Sequence, residues 1–358
     1  MRIVQILPEL KEGGVERGAI DLSKCLDNDN IENYIISNGG ILSKDIKNHI
    51  KFDVSSKSVI SFLPRVFKLK KLLRTLNPDI VHVRSRIPAW LVYFAKNGLN
   101  FKVVSTVHGL NSVNFYSKIM VMADAIICVS NCVKEYILKN FKADIKKTEV
   151  IFRGVDLSSF NPNKCISKQA LRSKYNLELN SFLISVVGRI TNLKNLETII
   201  KAINILKEQK FDVKLLVAGG VHEKRKKYYD NLIILIKELN LQNEVKFLGS
   251  IKEINEIYAL SDVLVSASIK PESFGRSVAE AIAMNCPVVA SNHGGVKDII
   301  LDGANGYFFE PLNDIELSQK IILAKDLNFD GFSYIKSKFS LQKMYNETLQ
   351  IYKKVLHE

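Results

Sequence analysis

The chain has 358 residues, 47% of them hydrophobic, and carries 51 Lys and Arg against 37 Asp and Glu, a formal net charge of +14. That length exceeds what one hydrophobic core ordinarily serves, so two domains are expected. The longest uncharged apolar runs, such as AIICVS and SFLISVVG, are far too short to cross a bilayer.

The opening MRIVQILP reads as a strand and has no basic region, apolar stretch and small-residue cleavage site in series, which makes the cytosol the expected location. Five cysteines (Cys25, Cys128, Cys132, Cys165, Cys286) form an odd number without a two-residue spacing and read as reduced packing residues. The charge is uneven: residues 1–165 hold 25 Lys and Arg against 15 Asp and Glu, the remainder 26 against 22. Such a front-loaded charge suits an acidic substrate or an anionic membrane surface, and equally a lysine-rich composition with no partner. No helix-turn-helix, zinc or aromatic ribonucleoprotein signature accompanies it, so nucleic acid is not an expected partner.

Taken in chain order, the first half offers strands at 2–7, 33–37, 79–83, 102–107, 125–130 and 149–152, with amphipathic helices at 15–26, 59–76 and 86–97 between them. The second half offers strands at 182–188, 213–220, 244–250, 263–268, 287–291 and 306–309, each followed by a helix-compatible stretch. Strands alternating with helices predict two doubly wound parallel sheets. The polar passage from Asp156 to Leu179 reads as the connection, and after Leu312 only helical patterns remain. The expected domains are 1–160 and 161–335, with a closing helix at 336–358 that packs back on the first domain. Two similar sheets facing across a cleft suit a ligand with two ends.

In open parallel sheets, ligands sit at the carboxyl ends of strands, where helix N-termini and glycine turns present amides to anions. Gly13 and Gly14 lie between the first strand and its helix, without the three glycines of a dinucleotide fingerprint. Gly188 and Arg189 end a strand, and Lys194 stands at the entrance of the next helix; two cations there make a diphosphate site. In KPESFGRSVAEAIAMNCPVVASNHGG, Glu272 precedes Phe274, Gly275 and Arg276, and Glu280 follows on the helix. Eight helical residues would span about 12 Å, too far for the paired acids of a glycoside hydrolase, which stand roughly 5–10 Å apart. The spacing suits a nucleotide sugar gripped at hexose and ribose, with the intervening amides facing phosphate. Two surface glutamates on an amphipathic helix are the plainer alternative, and it fits Glu280 better than Glu272.

His108 ends a strand and is followed by glycine, a place for a reacting group; His82, inside DIVHV, reads as a packed sheet residue and His293 as a loop residue of either kind. The acidic triplet Asp27, Asn28, Asp29 falls in a polar turn rather than at a strand end, so no metal is expected. In SFLPRVFKLKKLLRTLN, Phe62, Val66, Leu69, Leu72 and Leu73 form an apolar stripe among Arg65, Lys68, Lys70, Lys71 and Arg74. That stripe either covers the sheet or lies on an anionic bilayer.

The segment from Glu272 to Glu280, its continuation AIAMNCPVVAS and Gly294-Gly295, together with GRITNLKN, VHG, the Gly13-Gly14 loop and RGVDLSSFNP, resemble the retaining GT-B glycosyltransferases of family four along nearly the whole chain. The resemblance implies two Rossmann-like domains and a metal-independent transfer from a nucleotide-diphosphate sugar, gated by domain closure. Arg189 and Lys194 would hold the diphosphate, Glu280 the ribose and Glu272 the transferred sugar, with His108 contacting that sugar as a catalytic group. Gly13, Gly14, Gly188, Phe274, Gly275 and Arg276 complete the implied donor site, and backbone groups near Lys246 to Ser250 would meet the base.

The chain departs from the family pattern at Arg153, where Asn is usual, and at Asp298, where Glu is usual. The RGVD and VRSRIPAW stretches are similar to those of bacterial members that build lipopolysaccharide or capsule. They imply Arg84 and Arg86 for an anionic acceptor, a glycan or lipid-linked chain; if the basic helix lies on a bilayer, peripheral contact at the inner face of the plasma membrane is expected. No resident cofactor is implied. Rival readings are a catalytically silent nucleotide-sugar binder, against which His108 and Glu272 speak, and a sugar-nucleotide epimerase of the same architecture. A phosphorylase would need a longer chain and a pyridoxal lysine.

Overall fold

The computed structural model describes residues 1–11 and 13–357. The chain divides into two compact units: Met1–Gly154 together with the chain from Leu341 onward, and Val155–Ser340. These divisions lie beside the expected 160 and 335, and the helix Gly331–Lys338 belongs to the second unit.

The first unit holds β1 (Arg2–Ile6), β2 (Glu32–Ser37), β3 (His49–Lys51), β4 (Ile80–Val83), β5 (Lys102–Val107), β6 (Ala125–Cys128) and β7 (Thr148–Val150), in the order β3-β2-β1-β4-β5-β6-β7. Every pairing is parallel, for example Gln5 with His82 across β1 and β4. Parallel neighbours require a crossover, which the intervening helices supply. The edge strand β3 is absent from the sequence reading because its three residues, His-Ile-Lys, carry no apolar run. The closing helix Leu341–His357 buries Tyr345, Thr348, Ile351, Tyr352 and Val355 along one face, as a 3.6-residue period requires. That face joins Ile3, Ile80, Val104 and Ile127 in one core, so the last segment of the chain completes the first unit. Each fully buried Val or Ile there contributes roughly 1.5–3 kcal/mol.

The second unit holds β8 (Phe182–Val187), β9 (Val213–Ala218), β10 (Val245–Gly249), β11 (Val263–Ser266), β12 (Val288–Ser291) and β13 (Gly306–Phe309), in the order β10-β9-β8-β11-β12-β13, all parallel. Alternation along a strand sends neighbours to opposite faces. Phe182, Ile184 and Val186 pack in one core with helix residues Ile199, Ile203 and Leu206, while Leu183 packs on the other face with Leu171, Ile257 and Leu260. The strands are apolar on both faces because helices cover both. Leu171 lies on the helix Lys168–Lys174, a short element inside the passage read as connection.

The order reverses between β1 and β4 in one sheet and between β8 and β11 in the other. These are the switch points outside which a doubly wound sheet opens a crevice. Among the described residues no helix is long and apolar enough to cross a membrane. The five cysteines form no disulfide, and Cys128 and Cys286 are buried.

The helix expected at 59–76 runs Phe62–Leu76, and its stripe Val66, Leu69 and Leu73 is buried against the domain. Arg65 is a correction to the basic outer face: it is 6% exposed and donates to the carbonyls of Ser56, Ser58 and Ser61. Leu63 and Phe67 are what this helix leaves exposed, beside Lys68, Lys71 and Arg74.

Candidate active site

In the second unit, β8 is followed by Gly188, whose φ of +141° an L side chain rarely adopts. A Cβ on Gly219, after β9, would collide with the Gly188 carbonyl, so the two strand-end turns touch through backbone alone. Arg189 is exposed, and Lys194 closes a short turn before the helix Leu196–Glu208. Across the switch point, the Ile269 amide after β11 donates to the Leu193 carbonyl at 3.0 Å. This backbone tie brings Lys194 Nζ to 2.5 Å from Glu272 Oε1, which also accepts from Ser268 Oγ. Burial opposes ionisation of Glu272, but Lys194 and Ser268 outweigh it and hold the carboxyl below its ordinary value.

Glu272 is fixed from below by the double glycine after β12. The Gly295 amide donates to the Glu272 carbonyl at 2.7 Å, and Gly294 has φ +78°. A Cβ on Gly294 would stand 2.6 Å from that same carbonyl oxygen, so only glycine lets the loops meet. His293 sits beside them with both ring nitrogens buried and unpartnered among the described residues. Its loop position gave it even standing in the sequence; its proximity to Glu272 is a product of the β12 turn.

Gly275, with φ +102°, opens the helix Arg276–Ala283. Phe274 presents no side chain to a ligand: its ring is 3% exposed and packs near Phe339. Glu280 is 7% exposed, which overturns the reading of a surface glutamate. Arg276 Nε donates to its Oε1 at 2.8 Å and the Tyr258 hydroxyl to its Oε2 at 3.0 Å. Arg276 is thereby a partner of Glu280 on the first turn of the helix. Tyr258 and Ser268 carried no signal in the sequence, since neither stands in a recognisable motif. The Lys246–Ser250 stretch forms the edge strand β10 and its exit, where Ser250 lies against Gly220.

In the first unit, Gly13 caps the helix Gly14–Asn28 in extended conformation, and the Glu16 carboxylate folds over it at the helix N-terminus. His108 follows β5. Its Nδ1 lies 2.7 Å from Arg153 Nη2, and Arg153 Nη1 donates to the Gly14 carbonyl. A guanidinium only donates, so Nδ1 accepts and the imidazole proton resides on Nε2. Burial, then the charges of Arg153 and Arg84, push His108 well below its ordinary pKa and keep it neutral. Its Nε2 is buried without a partner among the described residues, leaving one unused donor.

Arg84 is buried and gives both Nε and Nη2 to Gln5 Oε1, at 2.9 and 2.7 Å, while Gln5 Nε2 donates to the Ala19 carbonyl. Burial lowers this guanidinium to about 10. Arg86 donates to Ser117 Oγ at 3.1 Å with its guanidinium 5.3 Å over the Tyr116 ring. Arg84, Arg86, Glu16 and His108 line one polar pocket of about 280 Å³. His82 is the packed sheet histidine expected of it, bonded to the Tyr352 hydroxyl and Thr106 Oγ1, both at 2.6 Å. Asp27 and Asp29 accept from Asn33 and Tyr345, structural duties at a helix end.

Two family models match the chain: "Glycosyltransferase Family 4" over residues 12–159 and "Glycosyl transferases group 1" over residues 167–330. A solved glycosyltransferase from Rickettsia africae is 33% identical, superimposes with a TM-score of 0.91, and the match covers 99% of this chain and 98% of that one. Alr3699/HepE of Anabaena, solved with UDP-glucose, shares the fold at a TM-score of 0.85 and 20% identity over 99% of this chain and 100% of its own. Spore coat protein SA of Bacillus subtilis is 27% identical over 306 residues, 77% of this chain and 78% of that protein.

Two parallel-sheet units with charged switch points, in this company, define a GT-B glycosyltransferase. The chain belongs to glycosyltransferase family four, a class of enzymes acting on nucleotide sugars.

Proposed function

We propose that this enzyme transfers a hexose, with retention of anomeric configuration and without a resident metal, from a nucleotide-diphosphate sugar to a glycan or lipid-linked acceptor of the cell envelope. The observation that carries the donor reading is the Lys194–Glu272 pair at the β8/β11 switch point, with Glu280 held ready by Arg276 and Tyr258. The donor diphosphate takes Lys194 and Arg189, which supply the charge a metal would otherwise bring. Lys194 then leaves Glu272, whose carboxylate accepts from hydroxyls of the sugar, and Glu280 accepts from those of the ribose. Gly188 and Gly275 let backbone approach the ligand, and Gly13 and Gly14 do the same in the first unit. The UDP-glucose complex of the Anabaena protein supports a donor of this chemical class.

In the transfer, the bond from the anomeric carbon to the β-phosphate oxygen breaks and a bond from the acceptor oxygen to that carbon forms on the same face. The acceptor proton passes to the departing phosphate oxygen, so no protein base is required. His108, neutral and protonated on Nε2, donates a hydrogen bond to the sugar as charge develops. Arg84 and Arg86 line the pocket proposed for the acceptor. We place the reaction in the cytoplasm, with peripheral membrane contact through the basic surface around Leu63 and Phe67; their exposure supports this.

The test is a thermal-shift panel of UDP, GDP, ADP and their sugars with chelator present, on the wild type and Glu280→Gln. A donor that binds only the folded state raises the melting temperature. Stabilisation by one nucleotide family, reduced in the variant, is expected; no response to any of them sinks the reading. The anomeric proton coupling of the product, read by NMR, decides retention.

A further inference from the structure

Beside the polar pocket at His108 the first unit holds a second cavity, about 580 Å³, walled by Val59, Phe62, Ile87, Trp90, Phe94 and Phe115. Its aromatic walls are mutually packed. Trp90 stands 5.5 Å from Phe115 and 5.9 Å from Phe94, and Phe94 meets Phe62 edge-on at 5.7 Å. The one polar atom of the indole is satisfied, since Trp90 Nε1 donates to the Tyr116 carbonyl at 3.0 Å. The opposite wall is held by buried Arg65, which donates to the Ser56 carbonyl at 2.9 Å. Phe115 is 76% exposed and Val59 86%, and both line this one cavity, the contiguous kind of apolar exposure that marks a binding groove.

The two cavities share a wall. Tyr116 lines the apolar one and Arg86 the polar one, and the Arg86 guanidinium lies over the Tyr116 ring. A molecule crossing that wall meets arginines on one side and hydrocarbon on the other. We infer that the apolar cavity binds the hydrocarbon chain of a phosphate-headed amphiphilic acceptor, whose anionic head lies against Arg86 in the polar pocket beside His108. The charge fits that head, since Arg84 and Arg86 face a single carboxylate, Glu16, in the pocket lining. The volume fits the chain, being within the usual range for small-molecule sites, about 300–1,000 Å³. This inference rests on the transferase reading and specifies its acceptor.

The wall carries its own reporter, because Trp90 is the only tryptophan of the chain. The experiment titrates the full chain with n-alkyl phosphates of increasing length, brominated along the chain and kept below their micelle concentration, and follows Trp90 quenching. Saturable quenching is expected, with affinity rising about fourfold per added methylene until the cavity is full. Phe115→Asp, at an exposed position that leaves folding intact, should remove the length dependence. Arg86→Gln should weaken the phosphates about tenfold and leave the matching alcohols unchanged. Quenching that is linear, independent of chain length, unaltered by Phe115→Asp, or seen only with brominated lipid in vesicles overturns the inference. Stabilisation by nucleotide sugar, measured on the same preparations, separates the outcomes: its loss sinks the transferase reading, whereas its persistence with no chain binding sinks the cavity assignment alone.

Discussion

Arg153 Nη2 lies 2.7 Å from Nδ1 of His108, so a cation and not an amide fixes the histidine proton on Nε2. The sequence flagged Arg153 only as a departure from the family pattern, and its consequence follows from contact. Arg153→Ala should lower kcat about tenfold to a hundredfold while leaving donor affinity near wild type, since it acts through His108. Because burial and then the Arg153 charge depress His108, removing that charge raises its pKa. An acid limb should therefore move up toward pH 6.5 in the variant. A variant profile that matches the wild type would exclude this positioning role.

Lys194→Ala removes the proposed diphosphate contact and leaves Glu272 without its cation. Nucleotide affinity measured by calorimetry should fall about tenfold to a hundredfold. The Glu272 carboxyl should rise from its depressed value, since Lys194 is the chief charge holding it down against burial. Unchanged affinity would show that the diphosphate lies elsewhere.

Gly294→Ala tests whether Glu272 is held by backbone. At φ +78°, with a Cβ only 2.6 Å from the Glu272 carbonyl, alanine should cost about 1 kcal/mol or more and weaken sugar-nucleotide binding over bare nucleotide. Equal loss for UDP and UDP-sugar in a melting assay would count against a specific effect on Glu272.

His82 and His108 are both pushed well below their ordinary pKa, first by burial, and titrate near 6.5 once unfolded. The unfolded chain then binds the extra protons, so stability is full above about pH 6.5 and is lost as pH falls from there toward the depressed folded values. The melting temperature should drop between pH 7 and 5, and His82→Gln should flatten part of that drop. A flat curve in the wild type would show that these imidazoles are not buried as neutral groups.

The parallel sheets were legible because β8 and β9 are apolar on both faces, a pattern that leaves few alternatives. The three-residue β3 was not, since His49–Lys51 gains its strand geometry only by pairing with β2. The amphipathic helix at Phe62–Leu76 was visible, but not which face met solvent; the apolar stripe turned inward and took Arg65 with it.

The sequence by itself determined the α/β architecture, the glycines where backbone must approach closely, and the charged residue types at strand ends on which the proposed donor site rests. Periodicity and special backbone positions are local, and local signals survive in one dimension. The tertiary structure alone decided that Lys194 pairs with Glu272, that Tyr258 and Arg276 share Glu280, that Arg153 sets the His108 tautomer and that Trp90 walls a cavity. Apart from Arg276 and Glu280, which stand one helical turn apart, those pairings join residues distant in the chain, brought together where parallel crossovers gather strand ends at one edge of a sheet.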